Sequence, residues 1–286
     1  MAHIALNGLE ATSVSPEALR PVEQPSSRLE PLERALRRSG TGFMFAVFGI
    51  GAVLLACVAF PITAWRRRGE ARDLVAQSMV HRFFGAFERL GCALRLFEVR
   101  DSGAERLRAG PGLVVANHPT LLDVVFLVAR MPQADCIVKA GALRNPFLRR
   151  AVSAAGYIAN SDGPAVVAAC VERIRAGRSV IVFPEGTRSP LRGLRPFKRG
   201  AARVALGSQG LVTPVTLRCD PPALGKDQRW WAMPARRLVF TIEVGEPFHA
   251  TDWIGSEGMV STPRSARHLT AVLRDYFESK DVHAGD

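Results

Sequence analysis

Two kinds of pattern follow one another along this chain. Up to residue 99 the apolar positions come in long blocks; from residue 112 they come in runs of four to eight, divided by polar, helix-periodic segments. The longest block, residues 42–64, has 23 positions without a charged side chain. As a helix it would reach about 34 Å, against a hydrocarbon core of about 30 Å. Arg34, Arg37 and Arg38 precede it, and Trp65 with Arg66, Arg67 and Arg68 follows it as a set of interfacial anchors. The block predicts a membrane-embedded helix. Two arrangements fit: a span, or an entry and return bent at Pro61, Gly49 and Gly51. Arginines flank both ends, and that symmetry favours both ends facing the cytoplasm.

The stretch Asp73 to Val99 predicts a second helix. Val75, Met79, Phe83, Phe84, Phe87, Leu90 and Leu94 fall near helical spacing, with Arg72, Arg82, Arg89 and Arg95 as the cationic complement. Such a helix lies in a lipid interface or sets its apolar face on the next domain. Beyond it, short apolar runs at 112–116, 135–139, 156–159, 179–183, 212–218 and 237–244 read as strands. Helical segments at 120–131, 144–154, 164–176 and 199–208 lie between them. This alternation predicts an α/β fold, a mainly parallel sheet flanked by helices, preceded by the membrane-embedded helix and the amphipathic one. Residues 221–237, with Trp230 and Trp231, interrupt the last strands, and Ala266 to Lys280 reads as a closing helix. Residues 1–31, rich in Pro, Ser and Glu, read as a disordered tail. The expected organisation is a tail over 1–31, a membrane-associated helical region over 32–100 and an α/β domain over 101–286.

Charge narrows the partners. A formal net charge of +12 calls for an anionic one: nucleic acid, a membrane surface or a phosphorylated substrate. Aromatic residues make up only 7% and are not interleaved with the basic ones, which argues against a base-stacking platform and so against nucleic acid. Five cysteines, odd in number and widely spread, show neither metal-ligand nor redox spacing and read as reduced thiols in a cytosolic setting.

The candidate chemistry sits where strands end. The run 112–116 is broken by Asn117, His118 and Pro119, and Thr120 can cap the helix that follows. His118 therefore lies at the carboxyl edge of a strand, where open α/β sheets build their sites. Asp123, five residues on, can reach back to the imidazole. A carboxylate on one ring nitrogen fixes the tautomer and stabilises the imidazolium, so the other nitrogen can act as a general base toward a hydroxyl. A second strand, 179–183, ends at Pro184 and opens into Glu185, Gly186, Thr187, Arg188 and Ser189. There Arg188 can hold a phosphate bidentately and Gly186 lets backbone approach a ligand. Lys198 and Arg199 add cations further on.

Asn117-His118-Pro-Thr-Leu-Leu-Asp123 followed by Phe183-Pro-Glu-Gly-Thr-Arg188-Ser189 resembles the glycerophospholipid acyltransferases, the family of bacterial lysophosphatidic acid acyltransferases. Leu211-Val-Thr-Pro-Val215 resembles that family's last block. The resemblance covers roughly residues 112–246. It implies transfer of a fatty acyl group from acyl-CoA or acyl carrier protein to a lysophospholipid hydroxyl, with no metal, nucleotide or redox cofactor. His118 would be the base and Asp123 its orienting partner. Asn117, Lys139, Glu185, Gly186, Thr187, Arg188 and Lys198 would form the substrate site. The expected location is a membrane, the bacterial inner membrane, with the catalytic domain cytoplasmic and membrane lipids as partners. One departure stands out: Asn160 occupies the place of an arginine that in the family helps hold the acceptor's phosphate. It keeps open an acyltransferase for a non-glycerol amphiphile. A non-catalytic lipid-binding membrane protein is the other alternative.

Overall fold

The computed structural model describes residues 30–282 apart from 67, 140, 142–143, 145, 161–162, 230, 232–233, 235 and 255–261. The expected tail up to residue 29, Arg67 and Trp230 lie outside the described residues.

The apolar block folds as helix α1 (Glu30–Leu54), a π-helical turn (Leu55–Ala59) and helix α2 (Phe60–Arg66). Leu54 and Phe60 both keep right-handed helical angles, so the backbone holds one helical course through residue 66. The π turn has a local cause. The ring of Pro61 collides with the carbonyl four residues back, that of Cys57, in a regular α-helix, and the wider turn around Cys57 makes room for it. Gly51 marks close packing and not a bend: a Cβ there would meet the Phe83 ring at 2.2 Å. Residues Leu32–Thr63 form a helix long and apolar enough to cross a membrane, with 17% of its most apolar window buried.

Helix α3 (Gly69–Ala93) buries Ala76, Gln77, Val80, Phe87 and Gly91. Of its two expected roles, packing is the one observed. Its buried side chains share a core with the sheet, and Phe48 of α1 meets Phe83, Phe84 and Phe87 at centroid distances of 5.8, 5.8 and 5.4 Å. The helix ends earlier than the sequence pattern indicates. Leu96 N–H donates to Gly91 O and Arg95 N–H to Cys92 O, with Arg95 at φ 55°, which is a Schellman cap. The chain then turns into strand β1 (Phe97–Ser102), so residues 97–99 belong to a strand and the expected boundary at 100/101 falls inside it.

The sheet comprises β1, β2 (Gly112–Ala116), β3 (Ala134–Lys139), β4 (Ile158–Asn160), β5 (Ser179–Val182), β6 (Leu211–Asp220), β7 (Leu238–Val244) and β8 (Phe248–His249). The order is β1-β7-β6-β2-β5-β3-β4, with β8 also on β6. All pairings are parallel except β6 with β7 and β6 with β8. The mainly parallel sheet is as expected. Central β2 is buried throughout: Val114 and Ala116 enter one core, Leu113 and Val115 the other, so a strand covered on both faces has no polar positions. The first core is closed by α3 and α4 (Asp123–Arg130), the second by α6 (Gly163–Arg175), α7 (Gly200–Ser208) and α9 (Pro263–Val282). Helices α5 (Pro146–Ala154) and α8 (Ala250–Ile254) complete the set among the described residues.

Two buried charge clusters tie α3 to the domain. Arg130, in the last turn of α4, makes bidentate bonds to Glu88 of α3 and to Asp101 of β1, all between 2.8 and 3.0 Å. Asp135 of β3, fully buried, accepts Gln77 Nε2 of α3 and Arg178 Nη2, each at 3.0 Å. Removing the Arg178 partner of fully buried Asp135 leaves a buried charge uncompensated, at a cost of about 3–5 kcal/mol.

Candidate active site

The site assembles at the carboxyl edge of β2. Asn117 continues the ladder with its side chain: Nδ2 donates to Leu217 O at 2.9 Å and Oδ1 accepts Leu217 N–H at 2.7 Å. That fixes the exit of the strand onto β6. His118 follows, and its backbone is held from both sides by the loop after β5. Its carbonyl accepts Ser189 N–H at 2.7 Å, and its N–H donates to Ser189 Oγ at 3.1 Å and to Glu185 Oε1 at 3.3 Å. Ser189 Oγ in turn donates to Glu185 Oε1 at 2.5 Å, and Arg195 N–H to Glu185 Oε2 at 2.8 Å. Glu185 is buried, and both its oxygens face protein donors.

The imidazole of His118 lies on the Phe183 ring, with centroids 4.3 Å apart and planes 24° from parallel. Its Nδ1 is 2.8 Å from Asp123 Oδ2. Asp123 is the first residue of α4, so the helix begins three residues later than expected. The reason is the carboxylate itself: it accepts Thr120 N–H at 2.7 Å and Thr120 Oγ at 2.5 Å, which holds residues 120–122 as a capping turn. Burial raises the Asp123 pKa, and the bonds from His118 and Thr120 oppose that rise. When Nδ1 donates to Asp123, Nε2 is left with the lone pair, and the ring lines a cavity of about 1140 Å³.

That cavity has an apolar interior and a cationic rim. Val80 and Phe84 of α3, Val124 of α4, Val152 of α5 and Ile181 of β5 line the interior. Lys139, Arg188, Lys198, Arg199, Arg203 and Lys226 also line it, together with Asn160, which faces Lys139 across the β3–β4 pairing. Gly186 sits at φ +68°, where a Cβ would come within 2.8 Å of Lys198 Nζ. Arg188 directs one nitrogen away from any ligand: Nη1 donates to Leu224 O at 2.9 Å and to Gly225 O at 2.7 Å.

The nine residues singled out from sequence thus divide. His118, Lys139, Gly186, Thr187, Arg188 and Lys198 line the cavity. Asp123, Asn117 and Glu185 do not; they hold the imidazole, the strand exit and the His118 backbone through the bonds above. Contributors to which the sequence assigns no role in the site include Ser189, Phe183, Arg195, Arg203, Leu224 and Lys226. Ser189 and Phe183 stand inside the quoted motif, so their position was visible and their direction was not.

Residues 98–218 match the family model described as Acyltransferase. Among curated relatives, the chain is similar to the chloroplastic 1-acyl-sn-glycerol-3-phosphate acyltransferase LPAT1 of Arabidopsis thaliana, 33% identical over 42% of this chain and 36% of that protein. The 1-acyl-sn-glycerol-3-phosphate acyltransferase of Helicobacter pylori is 35% identical over 38% of this chain and 48% of that protein. The chain therefore spans less than half the length of these two relatives. The alpha form from Mus musculus aligns more widely, 25% identical over 85% of this chain and 84% of that protein. The crystal structure of the 1-acyl-sn-glycerophosphate acyltransferase PlsC of Thermotoga maritima shares the fold, with a TM-score of 0.63 over 86% of this chain and 97% of that one at 18% identity. The shared fold extends beyond residues 98–218.

Proposed function

We propose that the protein is a membrane-associated O-acyltransferase. It moves a fatty acyl group from an acyl thioester, acyl-CoA or acyl carrier protein, to the free hydroxyl of a lysophospholipid such as 1-acyl-glycerol-3-phosphate. The observation that carries this reading is the 2.8 Å pairing of His118 Nδ1 with Asp123 Oδ2 at the wall of a cavity with an apolar interior and cationic rim. The substrate class follows from the names of the relatives.

In this reading the acceptor hydroxyl hydrogen-bonds to His118 Nε2. As its oxygen attacks the thioester carbonyl, the proton passes to Nε2 and Asp123 stabilises the imidazolium. The tetrahedral intermediate collapses by breaking the C–S bond, and the thiolate takes the proton back from Nε2. General-base assistance of this kind contributes typically about 10²–10⁴ in rate. Arg188, through Nε and Nη2, and Lys198 and Lys139 take the acceptor's phosphate. No metal, nucleotide or redox cofactor enters these steps. The helix Leu32–Thr63 supports attachment to a membrane, with the α/β domain on the cytoplasmic side of the bacterial inner membrane.

Asn160 favours a second reading, an acceptor whose headgroup is not a simple glycerol phosphate. One experiment tests both. The purified protein in detergent is incubated with a panel of lysolipids and with both donor types, and products are weighed by mass spectrometry. Acylated 1-acyl-glycerol-3-phosphate supports the first reading, and product only from another amphiphile supports the second. Absence of product from every pair refutes both and leaves a lipid-binding protein without activity.

A further inference from the structure

A second, smaller apolar cavity of about 140 Å³ lies between the apolar helix and the domain. Met44, Phe45 and Phe48 of α1 form one wall, and Val125 of α4 and Leu238 of β7 the other. Leu121, three residues from His118, is the one described residue that lines both this cavity and the large one. Resting on the proposed transfer reaction, we infer that the small cavity seats the acceptor's own acyl chain, while the donor's chain occupies the large one.

Three observations lead there. Transfer joins two amphiphiles at one atom, so two chains must diverge from His118, and Leu121 stands between the large cavity, which His118 lines, and the small one. Leu121 is itself 45% exposed, so the partition stands at an opening and a lipid-borne chain has an apolar route in. The third is Leu224, which also lines the small cavity. It holds φ at 57°, where a branched side chain is strained, and buries 94% of its surface. Its carbonyl accepts both Leu121 N–H at 3.1 Å and Arg188 Nη1 at 2.9 Å. One strained residue thereby links the proposed phosphate ligand, the partition and the cavity wall. A space of this size admits about six carbons, so the chain's remainder lies along α1.

The test uses the full chain in detergent with Phe45→Trp as a reporter in the wall. A 1-acyl-glycerol-3-phosphate brominated in its chain should quench the added emission saturably, and Thr41→Phe, which fills the cavity from α1, should abolish that quenching. An acyl-CoA thioether analogue brominated in its chain should leave it unchanged. In turnover, Thr41→Phe should raise the acceptor KM about tenfold for a sixteen-carbon chain and leave the donor KM unaltered. No quenching, equal quenching by both probes, or linear quenching like that of an exposed Phe43→Trp control overturns the assignment. The fluorescence arm needs no turnover. Saturable quenching in a protein that transfers nothing refutes the reaction and supports the subsite, whereas full activity without quenching refutes the subsite alone.

Discussion

Glu185 Oε1 accepts the backbone N–H of His118 at 3.3 Å, and Ser189 Oγ bridges the same pair at 3.1 and 2.5 Å. The second motif is thereby the mount of the first. A residue in this position shapes the approach of the imidazole without touching what it acts on.

Glu185→Ala should therefore lower kcat by roughly 10²-fold, the scale of a small misplacement of a reacting group, with the acceptor KM within about twofold of the parent. Steady-state kinetics in detergent decide it. A raised acceptor KM at unchanged kcat would show instead that Glu185 binds the acceptor.

His118→Ala should reduce transfer by about 10²–10⁴ and leave the thermal midpoint near that of the parent. Asp123→Asn should be nearly as damaging to turnover, because an amide facing Nδ1 favours the wrong tautomer. Its thermal midpoint should fall modestly, because an amide cannot accept the bonds of Thr120 N–H, Thr120 Oγ1 and His118 Nδ1 together. An Asp123→Asn protein that keeps turnover but melts early would make the carboxylate a structural cap.

Arg188→Lys keeps one positive charge but gives up both the Nη1 bonds to Leu224 O and Gly225 O and the planar Nε–Nη2 edge. The acceptor KM should rise about tenfold and the donor KM little. Asn160→Arg places a second guanidinium opposite Lys139 and should lower the KM of a phosphate-bearing acceptor. A donor-specific defect in Arg188→Lys refutes the assignment of Arg188 to the acceptor.

Two buried thiols set an alkaline limit on stability. Burial pushes Cys136 up to about 12 and Cys170 up to about 11, against 9.0 in the unfolded chain. Because the folded state holds these protons longer, their contribution is complete below pH 9 and is lost as pH rises toward 11–12. The loss approaches about 1.4 kcal/mol per pH unit for each thiol. Thermal midpoints taken from pH 8 to 11 should fall, and Cys136→Ala should show a shallower fall. Parallel curves for the two proteins would remove Cys136 from the account.

Much of this architecture is legible in the order of residues. Runs such as Gly112 to Ala116 are apolar on every position because both faces are covered, and the segments between them are helix-periodic. Strand β1 escaped because the cap that ends α3 uses Arg95 where a glycine usually signals the turn, so the periodicity ran on into Phe97. In the site, residue types were readable and side-chain directions were not. Asn117 and Glu185 have the chemistry of ligands for a substrate, yet their polar atoms are taken by Leu217, Ser189 and Arg195, partners distant in sequence. Leu224 carries no chemical signal at all; only its backbone angle and the two donors on its carbonyl single it out.

The Arg130 clamp makes α4 a short lever. At one end stands Asp123, touching the imidazole; about 10 Å away at the other, Arg130 grips α3 and β1 together. Helix α3 in turn leans on the apolar rod through Phe83, Phe84 and Phe87. If that rod sits in a bilayer as proposed, thickness and tension acting on it have a mechanical path to the angle at which the carboxylate meets the imidazole.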